Sequence, residues 1–212
     1  MRLPAATISG LKCSEIMKRA DSCDSPENEF SKFQSALPNL NPKFASGSVA
    51  DRMSEVYSGP LQVLQSSPGK DVVVIVVNNV KMIAKIYKQV TFAKMQREIH
   101  RDFVMARVLR SFGFEVQPIE SAAGFIERGI VLQKYEENLL DLGQTATNPE
   151  LAEAWVGLMK QIRAVEKDPR FLKIQDQIYK NYGKGEIDFR AANLAVSRTE
   201  VGGRLRLRFI DW

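Results

Sequence analysis

The sequence predicts an α+β fold in which a strand-rich part precedes a helical part. Between residues 60 and 88, apolar runs rich in β-branched residues alternate with turn-forming residues, which is typical of consecutive antiparallel strands. Two later segments repeat apolar residues every three or four positions, as amphipathic helices do. The last residues alternate apolar side chains with arginine, which indicates a final strand. With 212 residues, 44% of them hydrophobic, the chain is long enough to bury a substantial core.

The first 47 residues differ in composition from the rest of the chain. They are rich in Ser, Pro and Asn and lack a sustained period, which predicts a flexible leader. Cys13 and Cys23 lie in this leader without the neighbouring His or Cys residues of a zinc site. We interpret them as free thiols in a reducing cytosol, with a disulfide as the alternative. Ser48 is expected to cap a short helix that reaches Tyr57, with Asp51 in its first turn.

Three strands and a long helix are predicted next. The runs PLQVLQ, VVVIVV and VKMIAKIYK are separated by the turn sequences SSPGKD and Asn78-Asn79, so they read as an antiparallel meander. Residues 91–112 then predict an amphipathic helix. Its apolar face consists of Phe92, Met95, Ile99, Phe103, Ala106 and Leu109.

Two more strands, two helices and a hairpin complete the predicted order. FEVQPIE and GIVLQKY are strand candidates, and the second is a continuous apolar run of the kind found in buried strands. Residues 149–167 predict a helix that begins at Pro149, and a shorter helix is expected to end near Gly183. NLAVS and LRLRFIDW predict a hairpin that turns at Gly202-Gly203.

Five polar residues lie at the ends or on one face of these elements: Lys85, Glu98, Asp188, Asn193 and Asp211. Taken singly, each fits an ordinary structural role better than a functional one. The spacing of Asp188 and Asn193 also arises often by chance, and Lys81 and Lys88 share the strand of Lys85. Their occurrence together, in this order and on these elements, is what favours a common site.

The order of these residues resembles the protein kinase-like superfamily over residues 59–212. The order is a strand lysine, a helix glutamate, a loop with Asp and Asn five residues apart, and an aspartate that follows two apolar residues at the end of the final hairpin. The resemblance implies a two-lobe fold with a minimal, truncated C-terminal lobe and a site for ATP and Mg²⁺. In that family the lysine, here Lys85, holds the nucleotide phosphates and is held by the glutamate, here Glu98. Asp188 would orient the acceptor hydroxyl, and Asn193 and Asp211 would bind the magnesium ion.

The resemblance also implies where the nucleotide would lie. Backbone groups of Gln133 and Tyr135 would meet the adenine edge, and Leu132 would guard the back of that pocket. Ser66, Ser67 and Gly69 would offer hydroxyl and N–H groups to the phosphates. Hard oxygen ligands suit magnesium, and a chain with one histidine is a poor candidate for Ser-His-Asp or Cys-His catalysis.

Departures from the family pattern reduce the number of kinase-like families that this chain can resemble. The usual glycine-rich loop is reduced to SSPGK, Gly-Glu-Ile precedes Asp188 where His-Arg is common, and the sequence given ends at Trp212. The chain is most similar to the very short type III effector kinases of bacteria, the HopBF family. This implies a Ser/Thr protein kinase that acts on a host protein, namely the 90-kDa heat-shock chaperone, with residues 1–47 as a type III secretion region. Its expected location is cytoplasmic, in the host cytosol after secretion.

Two alternatives remain open at this stage. The same fold serves small-molecule phosphotransferases of the aminoglycoside or choline kinase type, and the thin glycine loop also fits a catalytically silent or truncated binding module. The net charge is +5, and residues 1–58 contain equal numbers of acidic and basic residues, so the basic excess lies in the later part. No aromatic residues interleave with the final arginines, and no apolar run reaches 18 residues. We therefore expect a monomer that has no nucleic-acid partner and no membrane span.

Overall fold

The computed structural model describes residues 26–88, 91–120, 124–198, 203 and 205–211. Its strands are β1 (Gln62–Ser66), β2 (Lys70–Val77), β3 (Val80–Tyr87), β4 (Ile119–Glu120), β5 (Ile130–Lys134), β6 (Leu194–Arg198) and β7 (Leu205–Phe209). Its α-helices are α1 (Pro26–Gln34), α2 (Pro42–Ala45), α3 (Val49–Ser54), α4 (Phe92–Ser111), α5 (Leu142–Thr145), α6 (Pro149–Val165) and α7 (Pro169–Tyr182). Short 3-10 helices occupy Ile126–Arg128 and Ala191–Asn193. The predicted α+β class is confirmed.

Five strands form one antiparallel sheet in the order β1-β2-β3-β5-β4. The predicted meander is present, and β2 turns into β3 through Asn78 and Asn79, whose φ angles of 50° and 63° suit the tight turn of a two-residue hairpin. FEVQPIE was predicted to be a full strand, but only Ile119–Glu120 pairs with β5. Pro118 has no N–H to donate to a ladder, which accounts for the shortened strand.

The two faces of the sheet have different neighbours. One face carries buried apolar side chains that pack with Met53 of α3. They are Val73, Ile75, Ala84, Ile86, Ile130 and Leu132. Side chains alternate between the faces of a strand, so Lys85 of β3 and Gln133 of β5 belong to the opposite face. That second face borders the candidate site.

The helices and the terminal hairpin share one large apolar core. It contains residues of α4, α6 and α7 together with Leu194, Leu207 and Phe209 of the hairpin. The hairpin β6–β7 forms as predicted, although Gly202 of its predicted turn lies outside the described residues. Helix α4 begins after Thr91, whose side chain accepts a hydrogen bond from the N–H of Lys94. None of the helices in the described part of the chain is long and apolar enough to span a bilayer.

Residues 26–47 differ from the predicted flexible leader. They form α1 and α2, and they place Phe30, Leu40 and Ala45 in the buried core. Pro26 and Pro42 suit the first turn of a helix, and Asn41 accepts a hydrogen bond from the N–H of Lys43. Residues 1–25, with Cys13 and Cys23, lie outside the described residues, as does Trp212.

Candidate functional site

An ion pair joins the sheet to the end of the hairpin. The Lys85 ammonium lies 2.9 Å from Oδ1 of Asp211 and also donates to the Ile210 carbonyl at 3.3 Å. Lys85 is only 4% exposed, so the pair is well shielded on the lysine side. The two residues are 126 positions apart, and the sequence predicted them to share a site. The structure brings them together.

The fold positions Asp211 through backbone hydrogen bonds. The N–H of Ile210 donates to the Asn193 carbonyl at 2.9 Å, which ties the residue before Asp211 to the end of the loop that contains Asn193. One residue earlier, Phe209 donates to the Glu115 carbonyl and accepts from the N–H of Gln117. The end of β7 is therefore held on two sides, and Asp211 follows it directly.

A second lysine contacts the same carboxylate. Lys70, the first residue of β2, has its ammonium 3.0 Å from Oδ2 of Asp211. Burial disfavours the charged form of Asp211, but attraction to Lys85 and Lys70 outweighs it and holds the pKa of this carboxyl well below its usual range. Sequence reasoning missed Lys70, because its place beside the predicted phosphate-binding turn gave no sign that it reaches Asp211.

A cavity of about 380 Å³ opens beside this ion pair. Residues from the sheet, from the segment after β5 and from the hairpin line it, among them Val72, Lys85, Gln133, Tyr135, Asn193 and Asp211. Five residues that were predicted to contact the nucleotide or the metal therefore line one cavity: Lys85, Gln133, Tyr135, Asn193 and Asp211.

Gln133 carries a buried polar atom without a partner. The residue is 2% exposed, and its Nε2 makes no hydrogen bond. A buried donor without an acceptor costs about 1–3 kcal/mol. Leu132, which was predicted to guard the back of the pocket, packs on the other face of the sheet with Ala84 and Met53. That prediction was wrong by one residue, because a shift of one position moves a strand side chain to the opposite face.

Some of the backbone and hydroxyl groups that were predicted to bind the nucleotide form hydrogen bonds within the protein. The N–H of Tyr135 donates to the Lys81 carbonyl at 3.1 Å. Ser66 donates to Asp71, and the Ser67 hydroxyl donates to the Lys70 carbonyl. The carbonyl of Gly69 accepts from the N–H of Lys88. Neither serine nor Gly69 lines the 380 Å³ cavity, although all three flank Lys70, which reaches Asp211.

Asp188 lines a different cavity, of about 550 Å³, together with Arg101 and Lys184. The Asn193 amide donates to the Asp188 backbone carbonyl at 3.1 Å, so one loop contributes a residue to each cavity. The carboxylate of Asp188 pairs with Arg190, whose Nε lies 2.7 Å from Oδ1. The hydrogen bond from Arg190 lowers the pKa of Asp188, which keeps it ionised at neutral pH.

Glu98 has other partners than the one predicted. Among the described residues its carboxylate pairs with Arg101 at 3.2 Å and with Lys184 at 3.7 Å, and it forms no ion pair with Lys85. The carboxylate of α4 that is buried beside β3 is Asp102, one turn later. It is 3% exposed and accepts a hydrogen bond from the hydroxyl of Tyr87. Burial, and then the charge of Asp102, raise the pKa of Tyr87 well above its usual value.

The donor set of the 380 Å³ cavity fits a nucleotide with magnesium. The described residues contain no group of three or more His, Cys, Asp or Glu side chains that could hold a metal alone. Mg²⁺, however, is commonly held by one or two protein oxygens and the phosphates of its substrate. Asp211 and the amide oxygen of Asn193 can supply such oxygens, because the Asn193 nitrogen is already directed at Asp188. Lys85 and Lys70 place positive charge beside them.

Comparisons with protein-family models, with curated proteins and with solved structures found no match to this chain.

Proposed function

We propose that the protein is an ATP-dependent phosphotransferase with a kinase-like two-lobe arrangement. One observation carries the proposal: the strand lysine and the terminal aspartate, 126 residues apart in sequence, form a 2.9 Å ion pair at the edge of a cavity that Asn193 also lines. The order of these residues and their convergence on a space between sheet and hairpin support a nucleotide site. Because Lys85 and Lys70 are positively charged, phosphate is the part of the ligand that they would bind.

Each residue has a role that follows from its chemistry. Lys85 and Lys70 would neutralise oxygens of the triphosphate, and Asp211 and Asn193 would hold Mg²⁺. When bound, Mg²⁺ would offset the negative charge of the phosphate oxygens. Asp188 would orient the acceptor hydroxyl and take its proton as the oxygen bonds to the γ-phosphorus, while the bond to the leaving oxygen of ADP breaks.

The 550 Å³ cavity is the natural place for the acceptor. Asp188 lines it and is hydrogen-bonded through its backbone to Asn193 of the proposed nucleotide cavity, and Arg101 and Lys184 are its basic residues. Glu186 and Asp188 of the same lining balance these two charges, and Glu98 pairs with both basic residues, so the charge of the cavity does not separate a protein hydroxyl from a small-molecule acceptor. The resemblance to short effector kinases makes the 90-kDa heat-shock chaperone the first protein to test.

Transfer of a labelled phosphoryl group tests the proposal. The purified chain is incubated with Mg²⁺ and γ-labelled ATP, with and without a eukaryotic lysate, beside Asp188→Ala and Asp211→Ala. We expect label on a protein with the native chain, and a loss of at least about 100-fold in both variants, since removing a transition-state or metal contact typically costs this much. Asp176→Ala, which removes an exposed ion pair with Lys180 on α7, is the matched control and should keep full activity.

The same assay separates the alternatives. Label in small molecules and not in protein would favour a phosphotransferase of the aminoglycoside or choline type. Nucleotide binding without any transfer would favour a catalytically silent module. If Asp211→Ala transfers label as fast as the native chain does, the metal role of Asp211 is refuted.

A further inference from the structure

The Gln133 side chain lines the proposed nucleotide cavity, and its Nε2 atom has no hydrogen-bond partner. Its Nε2 is buried without an acceptor, although the residue lines an open space. Gln117, a second buried glutamine in the same cavity wall, shows the usual arrangement. Its Nε2 donates to the Lys134 carbonyl at 3.1 Å, and its Oε1 accepts from Arg208 at 3.3 Å. The protein thus satisfies one glutamine internally and leaves a donor of the other directed at no protein group.

The backbone beside Gln133 has less capacity for a ligand than its side chain does. The N–H of Tyr135 is bonded to the Lys81 carbonyl, and the Lys134 carbonyl already accepts from Gln117. Gln133 lines this end of the cavity, and rotation of its carboxamide about the last side-chain torsion would turn the unused donor toward a base that enters there.

The position of Gln133 relative to Lys85 agrees with a nucleotide. Gln133 is paired with Ile83 across β3 and β5, and Lys85 is two residues further along β3 on the same face. At about 3.3 Å per strand residue, the backbone positions of Gln133 and Lys85 are separated along the strand by roughly 7 Å. A base at Gln133 would therefore have its phosphates toward Lys85 and Lys70.

We propose that the side-chain carboxamide of Gln133 recognises the base, and that it selects adenine by its N6 and N7 edge. This rests on the proposed nucleotide function. A carboxamide offers one donor beside one acceptor, and the amino group and N7 of adenine present the complementary pair. Guanine presents two acceptors, O6 and N7, at the same edge, so one of its contacts would be repulsive.

Calorimetric titration with ATP and two analogues tests this atom by atom. In 7-deaza-ATP the N7 acceptor is absent, and in purine riboside triphosphate the amino group is absent. At fixed Mg²⁺ the native chain should bind each analogue roughly 10- to 100-fold more weakly than ATP, the range expected for loss of a paired amide contact. Gln133→Leu should bind all three with the same weak affinity, because the partner of both atoms is gone.

Gln117→Leu is the matched control. It should lower the melting temperature, because the Lys134 carbonyl and the Arg208 guanidinium each lose a partner, and any change in affinity that it causes should be the same for ATP and for both analogues. Gln133→Leu should keep or raise the melting temperature, because it removes an unsatisfied donor. A melting temperature that falls as far for Gln133→Leu as for Gln117→Leu would identify a structural residue and overturn the proposal.

The outcomes for this inference and for the proposed function are distinguishable. A native chain that binds ATP and both analogues equally would overturn base recognition by Gln133 and leave nucleotide binding in place. A native chain that binds none of the three would overturn both. The analogue comparison needs no mutation, so it decides the question even if Gln133→Leu does not fold.

Discussion

Asp211 shares its carboxylate between two ammonium groups, one on each oxygen. Lys85 is almost fully buried, and its ordinary counter-ion in a nucleotide complex would be phosphate. In the structure Asp211 supplies that negative charge. A bound Mg²⁺ would need the same carboxylate, so the lysines would exchange Asp211 for phosphate oxygens when the nucleotide enters. On the proposed function, Asp211 would serve stability in the free protein and metal binding in the complex.

Replacing Asp211 with asparagine should destabilise the protein at neutral pH. The change leaves the Lys85 ammonium buried with reduced compensation, but the Asp211 side chain is 35% exposed, so water weakens the effect. We expect a loss of about 1–2 kcal/mol in the free energy of unfolding, measured by urea denaturation at pH 7. A variant as stable as the native chain would contradict a stabilising ion pair.

The difference in unfolding free energy between the native chain and Asp211→Asn should depend on pH in a definite direction. The folded-state pKa of Asp211 is lowered, so its contribution to stability is complete above the unfolded value of about 3.9 and is lost as the pH falls below it. The stability gap between the native chain and Asp211→Asn should therefore be constant from pH 5 to 7 and should narrow below about pH 4. A gap that widens in acid would show that another group dominates.

Tyr87 and Asp102 form a second buried polar contact near β3. In Tyr87→Phe the carboxylate of Asp102 keeps Arg101 at 3.2 Å but loses the tyrosine hydroxyl. We expect a loss of about 1–2 kcal/mol in unfolding free energy, because a buried charged acceptor is left with less hydrogen bonding. Tyr179→Phe, at a position that is 62% exposed, should change little. Equal stability of the two variants would rule out this role for Tyr87.

At the scale of single residues the sequence predicted some contacts and missed others. Lys85 and Asp211 could be paired because the order of elements restricted the choice. Glu98 and Asp102 are four apart on one helix, and such a spacing places both on nearly the same face. Only the docking of α4 on the sheet decides which one is buried. The Leu132 side chain was expected at the back of the pocket, but the face on which each side chain of β5 lies cannot be read from a continuous apolar run.

At the scale of elements, helices before the sheet form part of the core. Helix α1 places Phe30 against Tyr182 of α7, with ring centroids 6.4 Å apart. In α3 the buried Arg52 donates to the carbonyls of Gly47, Tyr87 and Arg128, which fastens this helix to the end of the sheet. The contact of Phe30 distinguishes α1 from the predicted flexible leader of residues 1–47, whereas α3 lies within the helix that was predicted to begin after Ser48.

Phe30→Ala measures how much α1 contributes to stability. The side chain is buried, and Phe-to-Ala changes in a core typically cost about 3–5 kcal/mol because a cavity remains. We expect a loss of about 3 kcal/mol in the free energy of unfolding, at the lower end of that range. Leu172→Ala, at a half-exposed position of α7, is the control and should cost less than 1 kcal/mol. An equal effect of both variants would mean that α1 adds no core.

Helices and strands were predicted correctly where the apolar periodicity or the turn residues gave a strong local pattern. The strands β2, β3 and β5, the helices α4, α6 and α7 and the hairpin were all predicted from periodicity and turn residues. The Ser, Pro and Asn content of residues 1–47 predicts flexibility, whereas residues 26–45 contain helices α1 and α2. The prolines of α1 and α2 lie at the first helical turn, where proline favours a helix.

At the scale of the whole molecule, the candidate site depends on distant segments meeting. The strands β2, β3 and β5, the loop before β6 and the end of β7 all contribute to one cavity or to the ion pair at its edge. A ligand that contacts both the sheet and the hairpin would therefore stabilise the folded chain as a unit. The order of motifs predicted this meeting, whereas the shape of the cavity and the direction of the Gln133 amide required the structure.

The central claim is that Lys85, Asn193 and Asp211 form a site for ATP with Mg²⁺. Its most direct test is calorimetric titration of ATP into the native chain and into Asp211→Asn, each with and without Mg²⁺, beside the surface variant Asp176→Asn. We predict that Mg²⁺ tightens ATP binding at least about tenfold in the native chain and in Asp176→Asn, and that this gain disappears in Asp211→Asn. Absence of ATP binding by the native chain, or the same gain from Mg²⁺ in Asp211→Asn, would contradict the claim.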